Sequence, residues 1–156
     1  MKHSAIAGLV VALATASAFG QSSDAPMMPE FPAPSAEHGW LMQLTGEWEL
    51  SAEHFMGPDQ APGTATGTES TRAIGGFWIV AENKSSAMGM DYTGILTIGY
   101  DPEKRQFVGT WIDSMTSLLW KYEGSLDDAR RVLTLRTEGP GMTGEICQFR
   151  ETIELQ

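Results

Sequence analysis

The chain has 156 residues, 42% hydrophobic and 9% aromatic, which suffices for one domain with its own core. Its 20 acidic and 10 basic side chains give a formal charge of −10. Such a surface repels phosphate backbones and anionic lipid headgroups, which argues against nucleic-acid binding and membrane docking.

Lys2 and His3 lead into an apolar run, Ser4 to Ala18, with small-residue exits at Ala16-Ser17-Ala18 and Ala18-Phe19-Gly20. A cationic head, an apolar middle and a small-x-small exit describe a secretory signal peptide over residues 1–20. The product is therefore expected to be exported, periplasmic or secreted. The run falls short of the about 20 apolar residues of a membrane span. No cysteine lies near the cut, so a membrane anchor through lipid is not expected. Residues 21–35 form a Pro-rich leader, because Pro26, Pro29, Pro32 and Pro34 block helix and ladder alike. Residues 36–156 are expected to make a single β-barrel domain.

Ser35 reads as an N-cap with Glu37 in the first turn. The spacing of Trp40, Leu41 and Leu44 predicts a short helix from Ala36 to Leu44, with His38 solvated and Gly46 as its end. From there the period becomes two. Trp48, Leu50, Ala52 and His54 alternate with Glu47, Glu49, Ser51 and Glu53, a strand with one buried and one wet face. Further strands are expected at Thr64–Arg72, Phe77–Glu82, Tyr92–Tyr100, Phe107–Asp113, Leu118–Glu123, Val132–Glu138 and Ile146–Leu155. Gly75-Gly76 and Asp101-Pro102-Glu103-Lys104 supply turns. Lys84 to Asp91 reads as a flexible loop carrying methionine. About eight strands at this spacing make an all-β protein. Short sequential connections favour an antiparallel up-and-down meander that closes to remove its edges.

Specific blocks carry a family resemblance. Glu37-His38-Gly39-Trp40-Leu41, Leu44 to Glu49, Ile74 to Val80, Thr93 to Asp101 and Phe107 to Trp111 together resemble the bacterial DUF1579 family over roughly Ser35 to Leu155. The resemblance implies a calycin/lipocalin-like barrel after one short helix, and no reaction. Gly46-Glu47-Trp48 also resembles the Gly-x-Trp opening of lipocalins and nitrobindin-like proteins. By that resemblance Trp48 plugs the closed end beneath an arginine from a late strand, and Arg150 is the candidate, by cation–π stacking. Its neighbours in the alternation put Phe149, Ile153 and Leu155 on the apolar face instead. Family members are expected to continue with a further hairpin beyond Gln156. The barrel is then expected to have an open seam, or the sequence to be a truncated product. Either way, exposed edges invite pairing with a second copy, so both a monomer and an edge-paired homodimer are expected states.

Chemistry-bearing motifs are sparse. Gly139-Pro140-Gly141-Met142-Thr143-Gly144 fits Gly-x-Gly-x-x-Gly, but a strand follows where a dinucleotide site needs a helix, so it reads as a hairpin loop. No Gly-x-Ser-x-Gly elbow and no close-spaced metal-ligand cluster is present. No cofactor is expected unless haem binds, in which case His54 would ligate the iron, as the nitrobindin-like resemblance allows. The plainer reading is a strand-end histidine touching water. Trp78, Tyr92, Trp111, Trp120 and Tyr122 could line one cavity or fill one core. Met88, Met90 and Met115 could form a soft lid. Asn83-Lys84-Ser85 matches a glycosylation acceptor, and the lone Cys147 excludes an internal disulfide and reads as a small buried hydrophobe.

The leading expectation is a protein that binds a small apolar or amphipathic molecule, through His54, Glu82, Tyr92, Trp111 and Trp120. The alternatives are an isomerase or cyclase with His54 or Glu82 as proton carrier, or a module pairing through an open sheet edge.

Overall fold

The computed structural model describes residues 31–55, 61–87, 90–141 and 143–155. The chain divides into two units, Met1–Pro32 and Ala33–Gln156. The expected signal segment lies outside the described residues, as does most of the leader. The second unit carries one helix, α1 (Ala36–Met42), and eight strands: β1 (Gly46–His54), β2 (Gly63–Ile74), β3 (Trp78–Ala87), β4 (Met90–Asp101), β5 (Gln106–Asp113), β6 (Trp120–Leu126), β7 (Val132–Pro140) and β8 (Ile146–Glu154). They form one sheet in the order β1 to β8, every neighbour antiparallel. The result is the expected meander, curled into a half-barrel. Among the described residues no ladder joins β1 to β8.

Each ladder keeps a single register. Thr71 stands opposite Ala81, Ala81 opposite Leu96, Leu96 opposite Trp111, and Trp111 opposite Trp120. Because side chains alternate with a period of two, these rows define one inner face running through all eight strands. Turn chemistry pins the register between hairpins. Asp101 Oδ1 accepts the backbone N–H groups of Glu103 (3.0 Å) and Lys104 (3.2 Å). Asp127 Oδ1 does the same for Arg131 and Val132 at 2.7 and 3.0 Å, and these donors hold its carboxyl below the usual range. Gly75, with φ of +59°, makes the left-handed step between β2 and β3.

Helix α1 docks on the inner face. Trp40 and Leu41 are buried with Ile79, Ile98, Phe107, Tyr122, Leu133 and Leu135, all inner-face residues. The Trp40 indole N–H donates to the Arg130 carbonyl at 2.9 Å, and the Arg130 guanidinium meets Glu37 at 2.9 Å. Hydrogen bonds from Arg130 and from Ser35 hold the Glu37 carboxyl down at about 2. His38 is buried rather than solvated. Its Nδ1 accepts the Ser35 backbone N–H at 2.9 Å, and its ring packs edge-on against Phe77 and Tyr100 at 5.1 and 5.7 Å. The helix is so short that three of its seven residues are needed for the core.

Two further expectations are corrected. The loop read over Lys84–Asp91 is largely ladder, because β3 runs to Ala87 and β4 begins at Met90. Ser and Thr on strands suit a pleated surface as well as they suit loops, and here they pair. Met90 therefore lies on a strand and Met115 in a loop, while Met88 lies outside the described residues. At the other end Leu118 and Leu119 stay outside β6, both exposed.

The docking of α1 yields a stability prediction. Leu41→Ala removes a fully buried side chain where helix meets sheet, and is expected to cost about 2–5 kcal/mol. Urea unfolding should show a lower midpoint with an unchanged slope.

Candidate functional site

The core fills only the end of the half-barrel that α1 covers. Beyond Ile79, which belongs to both core and cavity, a space of about 400 Å³ opens between β1 and β8. Trp48 and Leu50 line it from β1, Glu69 and Thr71 from β2, Ile79 and Ala81 from β3, Leu96 from β4 and Trp111 from β5. Glu151, Ile153 and Leu155 close it from the β8 side, with Glu49 and Glu154 at the rim and Leu44 from the turn after α1. The walls are thus mainly aliphatic and aromatic, with a few polar groups, the make-up of a small-molecule site.

Local contacts fix the aromatic walls. The Trp48 indole N–H donates to the Leu44 carbonyl at 3.0 Å, which holds the ring at the seam, 44% exposed. Trp111 lies across Gly94, where an added Cβ would fall 2.2 Å from the indole. Only glycine leaves room for the ring. The Trp111 N–H donates to Asp113 Oδ2 at 3.1 Å, and Tyr92 stacks on the indole at 6.2 Å. Burial, helped by the nearby Asp113 charge, pushes the Tyr92 phenol up to about 12. The Tyr122 hydroxyl donates to Glu151. Burial first, and then that hydrogen bond, carry the Tyr122 phenol well above the usual range. Glu69 accepts the Thr71 hydroxyl at 3.0 Å.

The residues expected to bind a ligand separate into two groups. Tyr92 and Trp111 sit together on the inner face, and Trp111 lines the cavity. Trp120 shares that face but packs edge-on against Phe149 at 5.4 Å and covers Gly139, away from the cavity. Glu82 points the other way. It shares the outer face with Trp78 and Val80 and pairs with Lys84 at 2.8 Å. Trp78 is likewise outward, over Gly99. His54 has inner-face parity, but its ring covers Gly63, where a Cβ would fall 2.0 Å from Nε2, and it does not line the cavity. Arg150 stands opposite Arg136 on the outer face, so it does not stack over the inward Trp48, in agreement with the Phe149–Ile153–Leu155 alternation. Asn83 is half-buried on the inner face with its Oδ1 enclosed and unpaired, a poor acceptor for a glycan. Cys147 is partly exposed rather than buried.

Glu69, Thr71 and Glu151 were not among the expected site residues. A strand reading Gly63-Thr-Ala-Thr-Gly-Thr-Glu-Ser-Thr71 has no apolar face to reveal which side turns inward. Among the described residues, no group of three or more His, Cys, Asp or Glu is placed to hold a metal ion. Nor is any helix there long and apolar enough to cross a membrane.

A family model described as protein of unknown function (DUF1579) matches residues 33–156. The chain belongs to the DUF1579 family. The match begins just before α1 and runs through β8, so the plugged half-barrel is the DUF1579 unit of this chain. None of the curated proteins and none of the solved structures compared with the chain matches it.

The two phenols give a pH prediction. Both are raised by the fold, so the unfolded chain releases those protons first, and unfolding gains from alkali. Their contribution is complete below the ordinary phenol value of 10 and declines above it, that of Tyr92 being lost as pH climbs through about 12 and that of Tyr122 later still. Stability measured by urea titration should fall over that window. The fall should be shallower in Tyr92→Phe and Tyr122→Phe, and absorbance at the phenolate band should titrate late in the folded protein.

Proposed function

We propose that this DUF1579 protein is exported and binds a small apolar or amphipathic molecule in the space between β1 and β8. The observation that carries the reading is the cavity itself, about 400 Å³ with Trp48, Leu50, Ile79, Leu96, Trp111, Ile153 and Leu155 on its walls. Small-molecule sites span roughly 300–1,000 Å³ with this mixture of apolar wall and sparse polar contacts. The indole of Trp48 adds support. A large apolar ring left 44% exposed on an inner face is surface that a ligand would cover. Export rests on the charged start, apolar run and small-residue exit of residues 1–20.

A binding role fits the polar groups better than a catalytic one. His54 and Glu82, the residues expected to carry protons, both lie off the cavity. Glu69 and Glu151, which do line it, are engaged by hydroxyl groups that orient them.

The neutral fluorophore N-phenyl-1-naphthylamine tests the reading. The full chain is expected to enhance its emission and to quench its own tryptophan emission through Trp48 and Trp111. Leu50→Trp, which fills the cavity from the edge strand, should abolish the effect while leaving the far-ultraviolet circular dichroism unchanged. Equal binding by a folded Leu50→Trp protein, or none by the parent, would refute the reading.

A further inference from the structure

We propose that the ligand of this cavity is a cation, a protonated amine or quaternary ammonium carried on an apolar body. The inference rests on the cavity being a binding site and adds the chemistry of what it takes. The charged side chains that face into the cavity, Glu69 and Glu151, are carboxylates, the outward Glu49 and Glu154 flank its rim, and none of its lining residues is Lys, Arg or His. The pattern extends beyond the cavity. Every Lys and Arg on a strand, namely Arg72, Lys84, Lys121, Arg136 and Arg150, occupies the outer face, as the register of the ladders requires. Glu69, Asp113 and Glu151 occupy the inner one. Carboxylates stand on both faces, Glu82 and Glu123 among the outward ones, whereas the strand bases stand on the outer face alone.

The inward carboxylates are not balanced from within the protein. Glu154 at the rim pairs with Arg131 at 3.2 Å. Glu69 and Glu151 take part in none of the ion pairs found among the described residues. Their recorded side-chain partners are the hydroxyls of Thr71 and Tyr122, neutral donors that orient a carboxylate without cancelling its charge. Glu69 is half-buried and Glu151 is exposed at the cavity, so a cation entering there meets both carboxylates, and at Glu69 it offsets part of the cost of enclosing charge. The aromatic walls add attraction of the same sign, since the faces of Trp48 and Trp111 present negative quadrupole to a cation. Leu50, Leu96 and Ile153 then take the apolar body. An anionic amphiphile of the same shape meets repulsion from both glutamates.

Octyltrimethylammonium, octanol and octanoate share one chain and differ in charge, so titrating each into the full chain by calorimetry separates the cases. The cation should bind about tenfold more tightly than the alcohol, as a desolvated cation–π and carboxylate contact predicts, and octanoate more weakly still. Glu69→Gln and Glu151→Gln should each erase most of the advantage over octanol, since glutamine keeps the hydroxyl contact and loses the charge. Glu103→Gln, in the exposed β4–β5 turn, should leave it intact and so control for the overall negative charge. Added salt should weaken the cation alone. If all three compounds bind alike, the cavity reading stands and the cation inference falls. If none binds, both fall together. If Glu103→Gln matches the cavity variants, the preference belongs to the surface and the inference is overturned.

Discussion

The structure depends on face parity carried without a slip through seven ladders. In a sheet each residue's side is fixed by its neighbour's, so a single displaced pairing would turn every later strand inside out. Here the rows from β1 to β8 hold one register each. One surface therefore collects Ile79, Ile98, Phe107, Leu133 and Leu135, and with them Glu69 and Glu151. Helix α1 can dock only because that surface is apolar at one end. By docking there it fills that end and leaves the seam side hollow. The core and the cavity are two halves of one inner face, divided near Ile79 by how far Trp40 and Leu41 reach.

That division sets an energetic contrast between the halves. Around α1 the packing is dry, and its polar groups find partners at the edge: the Trp40 N–H on the Arg130 carbonyl, Glu37 on Arg130. Toward the seam the polar groups are held and not neutralised. Tyr122 stays protonated far into alkali because it is buried and because Glu151 accepts its hydrogen bond. The phenol in turn fixes where the Glu151 charge sits. A fold selected for stability alone would place leucine there. Two oriented carboxylates beside exposed indole are what the proposed ligand would meet.

Much of this was legible in the sequence, and the exceptions have a common cause. The helix and all eight strands follow from period and turn residues. The parity of β1 is written in Trp48-Glu-Leu-Ser-Ala-Glu-His54, and that of β8 in Phe149, Ile153 and Leu155, which already turned Arg150 outward. Where both faces of a strand are apolar, parity is invisible. Phe77-Trp-Ile-Val-Ala-Glu82 does not say whether Ile79 or Trp78 is inside, and so Glu82 was expected in a site it faces away from. Where neither face is apolar, as in β2, the same silence hid Glu69. Pairing resolves both, and pairing is not a property of one segment. The glycine beds are similar. Gly94 reads as a weak strand residue until the Trp111 ring is found lying across it. His38 deceived for a different reason, since a helix too short to own a polar face buries its histidine with its leucine.

The strands beside the cavity carry much of this charge. Edge strands invite pairing unless something discourages it, and inward or outward charge is among the commonest deterrents. The edge β1 carries Glu47, Glu49 and Glu53 outward, and β8 carries Glu151 inward and Glu154 outward. Glutamates crowd the β1 edge, while Arg150 stands outward with Glu154 on β8 and Glu151 puts negative charge inside. A cation lodged between Glu69 and Glu151 would offset part of that charge. Edge protection and ligand selection would then be two consequences of one placement of negative charge.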